Sequence, residues 1–147
     1  MMKYIIIVTL LFTATTFAQK GERIKALKTA HITNALDLSA SEAEKFWPVY
    51  NAHEEKMATL RRTERREMFE VVKTGIDQIT DAEANALIEK GIQMKTTELE
   101  YHKELVANLR GVIPPTKILK LRKAEEEFKR KLLELMKNRR GNRNKQP

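Results

Sequence analysis

Two four-residue strings, Ser39-Ala40-Ser41-Glu42 and Thr80-Asp81-Ala82-Glu83, constrain this chain more than any other feature. Each has a hydroxyl first and a carboxylate three residues on. At that spacing the hydroxyl accepts from the third helical amide while the carboxylate reaches back to the capping amide. Two helix starts are thereby placed, and helical periodicity follows both. After Ser39, Phe46, Tyr50, His53, Met57 and Leu60 recur in alternating steps of four and three, one face of a helix that closes near Lys73, with Gly75 as its left-handed terminator. After Thr80 the stripe reads Ile88, Ile92, Leu99, His102, Val106 and Leu109, interrupted by Lys95, and the helix is expected to last until Gly111.

Two further helices flank this pair. Residues 21–36 place Ile24, Leu27, His31 and Ala35 on one stripe. Beyond Gly111, Pro114 and Pro115 mark a new start, because a proline at the first helical position lacks an amide that would have no partner there anyway. That last helix carries Leu121, Phe128, Leu132 and Leu135. No segment alternates polar and apolar residues as a half-buried strand does. The expected fold is therefore all-α, an elongated, curved four-helix hairpin-type domain. Its curvature would come from Pro48, which removes one backbone hydrogen bond inside the second helix. Long helices with so thin a core also predict a dimer. From Lys137 onward nothing apolar recurs, so residues 138–147 are expected to form a disordered basic tail.

The N-terminus reads as an export signal. Lys3 precedes an apolar run over residues 4–12 with Thr9 its only polar member, and small and hydroxyl residues lead to Ala18. The run is too short to span a bilayer but matches a signal-peptide core. The expected organisation is a cleaved signal peptide at residues 1–18, a helical sensor- or chaperone-like domain at 19–137 and the tail at 138–147, in the periplasm. Cysteine is absent, which excludes disulfides, thiol chemistry and a lipoprotein attachment site.

Charge is distributed unevenly. The formal net charge is +8, yet residues 116–147 alone hold 12 Lys and Arg against 4 acidic residues. A basic chain invites a nucleic-acid reading, but export turns attention to lipid head groups and acidic protein patches instead.

Candidate sites are few. Arg61 and Arg65, like Arg62 and Arg66, stand four apart, so they stack into two positive ridges that suit an acidic or amphipathic partner. The bland alternative is a solvated face whose arginines pair with Glu64, Glu67 and Glu70. His53 and His102 fall at nearly the same height when counted from a turn near Asp77, whereas His31 does not join them. They read as packing histidines rather than metal ligands, and no metal or other cofactor is expected. No Gly-rich phosphate loop, nucleophile elbow or His-Glu-x-x-His motif occurs, so no enzymatic activity is expected and no catalytic residue is assigned.

Leu38, Ser39 and Glu42, followed by Phe46, Trp47, Pro48 and Tyr50, resemble the Leu-Thr-x-x-Gln segment of the periplasmic Spy/CpxP-like proteins, particularly the branch described as sensors of extracytoplasmic-function sigma factors. Ile113, Pro114, Pro115, Thr116 and Lys117 resemble that family's second such turn. Ser39 and Glu42 stand where Thr and Gln are usual, which retains the capping chemistry. The resemblance covers about residues 20–137 in helix order and turn positions. It implies a curved, often dimeric cradle that senses envelope stress, chaperones misfolded proteins or senses metals, without enzymatic activity. The leading expectation is an envelope-stress sensor or adaptor acting by protein binding. The alternative is a holdase-like chaperone for unfolded proteins, or a metal-responsive periplasmic sensor. The expected partners are another envelope protein or unfolded clients, a second copy of the chain and, through the basic tail, a membrane surface.

Overall fold

The computed structural model describes residues 21–143. The expected signal peptide and the last four residues of the expected tail lie outside that range. The described chain is all-α. Helix α1 covers residues 21–36, α2 is Ala40–Thr74, α3 is Asp81–Leu109 and α4 is Pro115–Arg143, with a single 3-10 turn at Ile76–Gln78 between α2 and α3.

Local chemistry accounts for each boundary. α1 closes on Asp37, whose positive φ of 49° lets its amide reach the Asn34 carbonyl while the Leu38 amide reaches that of Thr33. Aspartate tolerates this left-handed conformation better than most residues. Both capping boxes form as the sequence predicts. The Ser39 amide donates to Glu42 and the Glu42 amide to the Ser39 hydroxyl, and Thr80 and Glu83 repeat the exchange. Gly75 ends α2 at φ 86°, its amide held by the Val71 carbonyl. α3 stops at Leu109, two residues short of the expected Gly111, because the amides of Val112 and Ile113 both close on the Leu109 carbonyl. Pro115 is the first residue of α4, and the Pro114 carbonyl receives the amides of Lys117 and Ile118. α4 continues helically to Arg143, six residues past Lys137, where apolar periodicity ends.

The chain divides into two compact units. One comprises residues up to Leu38 together with those from Leu119 on, and the other is Ser39–Ile118. In the first, Ile32 and Leu36 of α1 are buried, as are Leu121, Ala124 and Phe128 of α4. His31 Nε2 donates to the Ala124 carbonyl at 3.0 Å, with its ring 5.7 Å from that of Phe128. Of the expected stripe, Ile24, His31 and Ala35 are half-buried beside that row. Leu27 is exposed, and the inward face is turned one residue further along.

The second unit is an antiparallel hairpin of α2 and α3. Lys56 pairs with Glu104 while Glu67 pairs with Lys90, so numbers rise along one helix as they fall along the other. Its core is Phe46, Tyr50, His53, Met57, Leu105, Leu109 and Ile113. Burying each large side chain contributes roughly 1.5–3 kcal/mol. The α2 stripe read from the sequence is thus the buried one. The α3 stripe is buried only at its end, at Leu109. Ile88, Ile92 and Leu99 are each more than half exposed, and the row that turns inward is Leu87, Met94, Tyr101 and Leu105. All the fully buried side chains of this unit sit at its base. Among the described residues from 58 to 104, none is fully buried.

Candidate protein-binding surface

At the base of the hairpin, the residues that carry the family resemblance assemble around α2's first turns. Phe46, Trp47 and Tyr50 form one aromatic cluster. Phe46 and Tyr50 stack at 5.3 Å between ring centroids, and Trp47 meets both edge-on. Phe46 and Tyr50 are buried and Trp47 is half-buried, so the cluster is a packing anchor. Pro48 is exposed and borders the cleft that α2 shares with Tyr101, Glu104 and Leu105 of α3. Glu42, besides closing its own capping box, accepts from Lys117 Nζ at 2.7 Å. Each of those side chains is only about 20% exposed. The Lys117 ammonium, followed by the Ser39 amide, holds the Glu42 carboxyl below the ordinary carboxylate value. The two motif turns, Leu38 to Glu42 and Ile113 to Lys117, are thereby joined through their charged members.

Above this base, His53 and His102 face each other with ring centroids 5.1 Å apart and planes tilted by 43°. Their equal height follows from the antiparallel register, as the sequence predicts. His53 is buried, and burial, then the neighbouring charge of His102, lowers its pKa below the ordinary 6.5, against opposing pulls from the Glu54 carboxylate and then the Tyr101 carbonyl. His102 is exposed. His31 belongs to the other unit. Among the described residues no group of three or more His, Asp or Glu side chains is arranged to hold a metal ion.

Further along α2, Arg61, Arg62, Arg65 and Arg66 are all exposed. Among the described residues none of the four forms an ion pair, and Arg62 donates instead to the Thr59 hydroxyl at 3.1 Å. Two acids that would have neutralised them turn to α3: Glu64 faces Lys95 at 3.8 Å, and Glu67 pairs with Lys90. Lys95 also binds Glu98 at 2.9 Å, which raises the Lys95 pKa and lowers that of Glu98. The arginines are thus exposed and unpaired, with the charge of Arg61 felt within the hairpin by Glu98.

Closer to the connecting turn lies a surface that the motif residues do not include. Met68 and Val71 of α2, Ile76 and Ile79 of the connecting turn, and Leu87 and Ile88 of α3 line an apolar groove of about 330 Å³ at the tip of the hairpin. Glu64 also borders the adjoining depression formed with Ile88, Ile92, Lys95 and Leu99. One side of the hairpin therefore carries an exposed apolar row. Val71 and the Ile76–Ile79 pair extend the apolar pattern past Leu60, a sequence signal that pointed to this groove. Its exposure depends on how α3 turns. No family model, curated protein or solved structure matches this chain.

Proposed function

We propose that this protein is a periplasmic, non-enzymatic sensor or adaptor for envelope stress, acting by binding another envelope protein in a signalling chain that ends at an extracytoplasmic-function sigma factor. One observation carries the binding part of this reading: the hairpin ends in a solvent-open apolar groove, with the exposed side chains of Arg61, Arg62, Arg65 and Arg66 further back along α2. Such a combination suits an amphipathic partner with acidic flanks, since apolar contact supplies affinity and charge supplies steering and selection. The link to a sigma factor rests on the resemblance of the Leu38 to Tyr50 and Ile113 to Lys117 segments. A membrane protein would have to relay the signal across the bilayer. Self-association as a homodimer belongs to the same proposal, and sedimentation analysis tests it directly.

A second reading, a holdase-like chaperone, is favoured by Met68 and Met94 in the groove, because methionine adapts its shape to varied apolar surfaces. A photo-crosslinking residue in place of Ile88, used in the living host, separates the two. Capture of one dominant envelope protein, lost when Arg61, Arg62, Arg65 and Arg66 become Gln, supports the adaptor. A broad ladder of captured proteins, with suppression of a heat-unfolded model client's aggregation at stoichiometric amounts, supports the chaperone. Absence of capture in both arms removes the tip as the functional surface.

A further inference from the structure

One row of apolar side chains on α3 is left outside the hairpin core. Ile88, Ile92 and Leu99 are 59%, 55% and 53% exposed, and Val106 is half-buried. At about 100° per residue these four fall within an arc of roughly 40°, and no charged residue between 88 and 106 projects into it. The arc stands roughly 130° around α3 from Leu87, Met94, Tyr101 and Leu105, the row turned toward α2, so it does not continue the buried face. Lys95 lies just outside it on the α2 side, where Glu98 and Glu64 hold its ammonium group at 2.9 and 3.8 Å. Two shallow depressions follow the row, one along Ile88, Ile92 and Leu99 and the other along Leu99 and Val106. With Lys95 and His102 included, the steps from Ile88 to Val106 run four, three, four, three, four, the repeat of a helix packed along another helix.

We propose that this row is a contact between two copies of the chain, with α3 of one lying antiparallel to α3 of the other about a twofold axis near Thr96; it rests on the self-association proposed above and gives it a surface and a direction. Twofold symmetry requires the patch to complement itself. The edge of the row away from α2 meets that requirement, because Glu89, Thr96 and Lys103 follow one another there at seven-residue steps, all exposed, as acid, hydroxyl and base. Reversing that order in the second copy sets acid against base on both sides of the axis. Two parallel copies in register would set acid against acid and base against base. Antiparallel pairing also brings Ile88 beside the second copy's Val106 at each end and both Leu99 side chains close to the axis. The edge charges select direction more than they add affinity, since exposed ion pairs contribute little. A lipid surface would ask for cations along both edges, and Glu64 and Glu89 stand there instead. Four apolar side chains per copy make a small interface, so association is weak, about micromolar, and single copies prevail on dilution.

The chain has no cysteine, so any disulfide between copies comes from an introduced thiol. The test compares Ile88→Cys, Val106→Cys and the double variant, each as an expressing host exports it, under mild oxidation at concentrations where the parent sediments as a dimer. Positions 88 and 106 of one chain lie about 27 Å apart on the helix, and the same separation divides like positions across the axis, so neither a bridge within a chain nor one in a single variant can close. The double variant should give at least about tenfold more covalent dimer than either single variant. Adding Glu89→Lys should lower that yield, and adding Lys103→Glu as well should restore it, with helical content by circular dichroism unchanged throughout. Equal yields from the single variants would overturn the antiparallel direction, and failure of the charge exchange to restore the yield would overturn the pairing of Glu89 with Lys103. A parent that sediments as a dimer while the double variant forms no covalent dimer would remove the row as the contact and leave self-association standing. A parent that stays monomeric at every concentration would overturn both, while capture of an envelope protein from position 88 would still support the groove.

Discussion

Glu42 Oε2 accepts a hydrogen bond from the Ser39 amide and another from Lys117 Nζ, at 2.8 and 2.7 Å, so one carboxylate both starts α2 and ties that start to the first turn of α4. Replacing Ser39 by Ala removes only the cap and should cost about 1 kcal/mol. Glu42→Gln should lower the melting temperature as well, and Lys117→Met should then add little, because the two share one interaction. A double-mutant cycle of thermal unfolding reads that non-additivity. The Glu42 carboxyl is held below its ordinary value, so its contribution is present above about pH 4.5 and lost as pH falls through the folded value. The melting temperature of Glu42→Gln should therefore approach that of the parent in acid.

His53 has the opposite protonation preference from a paired histidine. Burial first, then the charge of His102, holds its pKa below 6.5, so the unfolded chain binds the proton more readily than the folded one. Its contribution is full above pH 6.5 and lost as pH falls toward the folded value. Denaturant unfolding between pH 7.5 and 5, in steps marked about these ordinary histidine values, should show declining stability. His102→Leu should lessen the decline by removing the like charge. An unchanged slope in that variant would sever the pair energetically.

Packing at the base and along the exposed row should differ sharply under substitution. Met57→Ala, at a fully buried position, should destabilise by about 2–5 kcal/mol. Ile92→Thr, at a position more than half exposed, should stay within about 0.5 kcal/mol. Urea midpoints on both variants check the contrast, and a large loss at Ile92 would restore it to the core.

Converting Arg61, Arg62, Arg65 and Arg66 to Gln should leave the melting temperature nearly unchanged, since none of them forms an ion pair within the hairpin and even exposed pairs contribute only about 0–1 kcal/mol each. Capture of a partner at the groove should fall. Retained capture would return the ridge to an ordinary solvated face.

Gly75 holds φ 86° where an added Cβ would meet nothing closer than Gln78 Cγ at 3.9 Å. Space is therefore available, and any cost of Gly75→Ala comes from the backbone conformation. That substitution should destabilise by about 1–2 kcal/mol, whereas Gly91→Ala, at a helical position with open space around it, should stabilise.

What could be read in advance were the features that depend on neighbours in sequence. The capping boxes span three residues, and the boundaries they set were legible. So was the facing of His53 and His102, because a short turn leaves only one antiparallel register to count through. The face of α3 was not. It carries two apolar rows, one with Ile88, Ile92 and Leu99 and one with Leu87, Met94, Tyr101 and Leu105, and periodicity alone ranks the former as readily as the latter. The choice is made by the pairing with α2, which brings Tyr101 and Leu105 beside His53 and Leu87 and Met94 beside Met68 and Val71. Lys117 was quoted only as a member of a turn, since its partner Glu42 lies 75 residues away and no local rule joins them. The groove at the tip was hidden for the same reason, since it needs Leu87, Ile88 and Met94 of α3 beside Met68 and Val71 of α2.

The absence of any fully buried side chain among the described residues from 58 to 104 has a consequence for how the hairpin breathes. Local opening costs least where few apolar contacts must be broken, so amide protons should exchange progressively faster from Tyr50 and Leu105 toward Gly75. The binding groove occupies the fast-exchanging end. A partner seated between Met68 and Ile88 would then slow exchange on both helices of the hairpin at once, and part of its binding enthalpy would be offset by the entropy of holding that end closed.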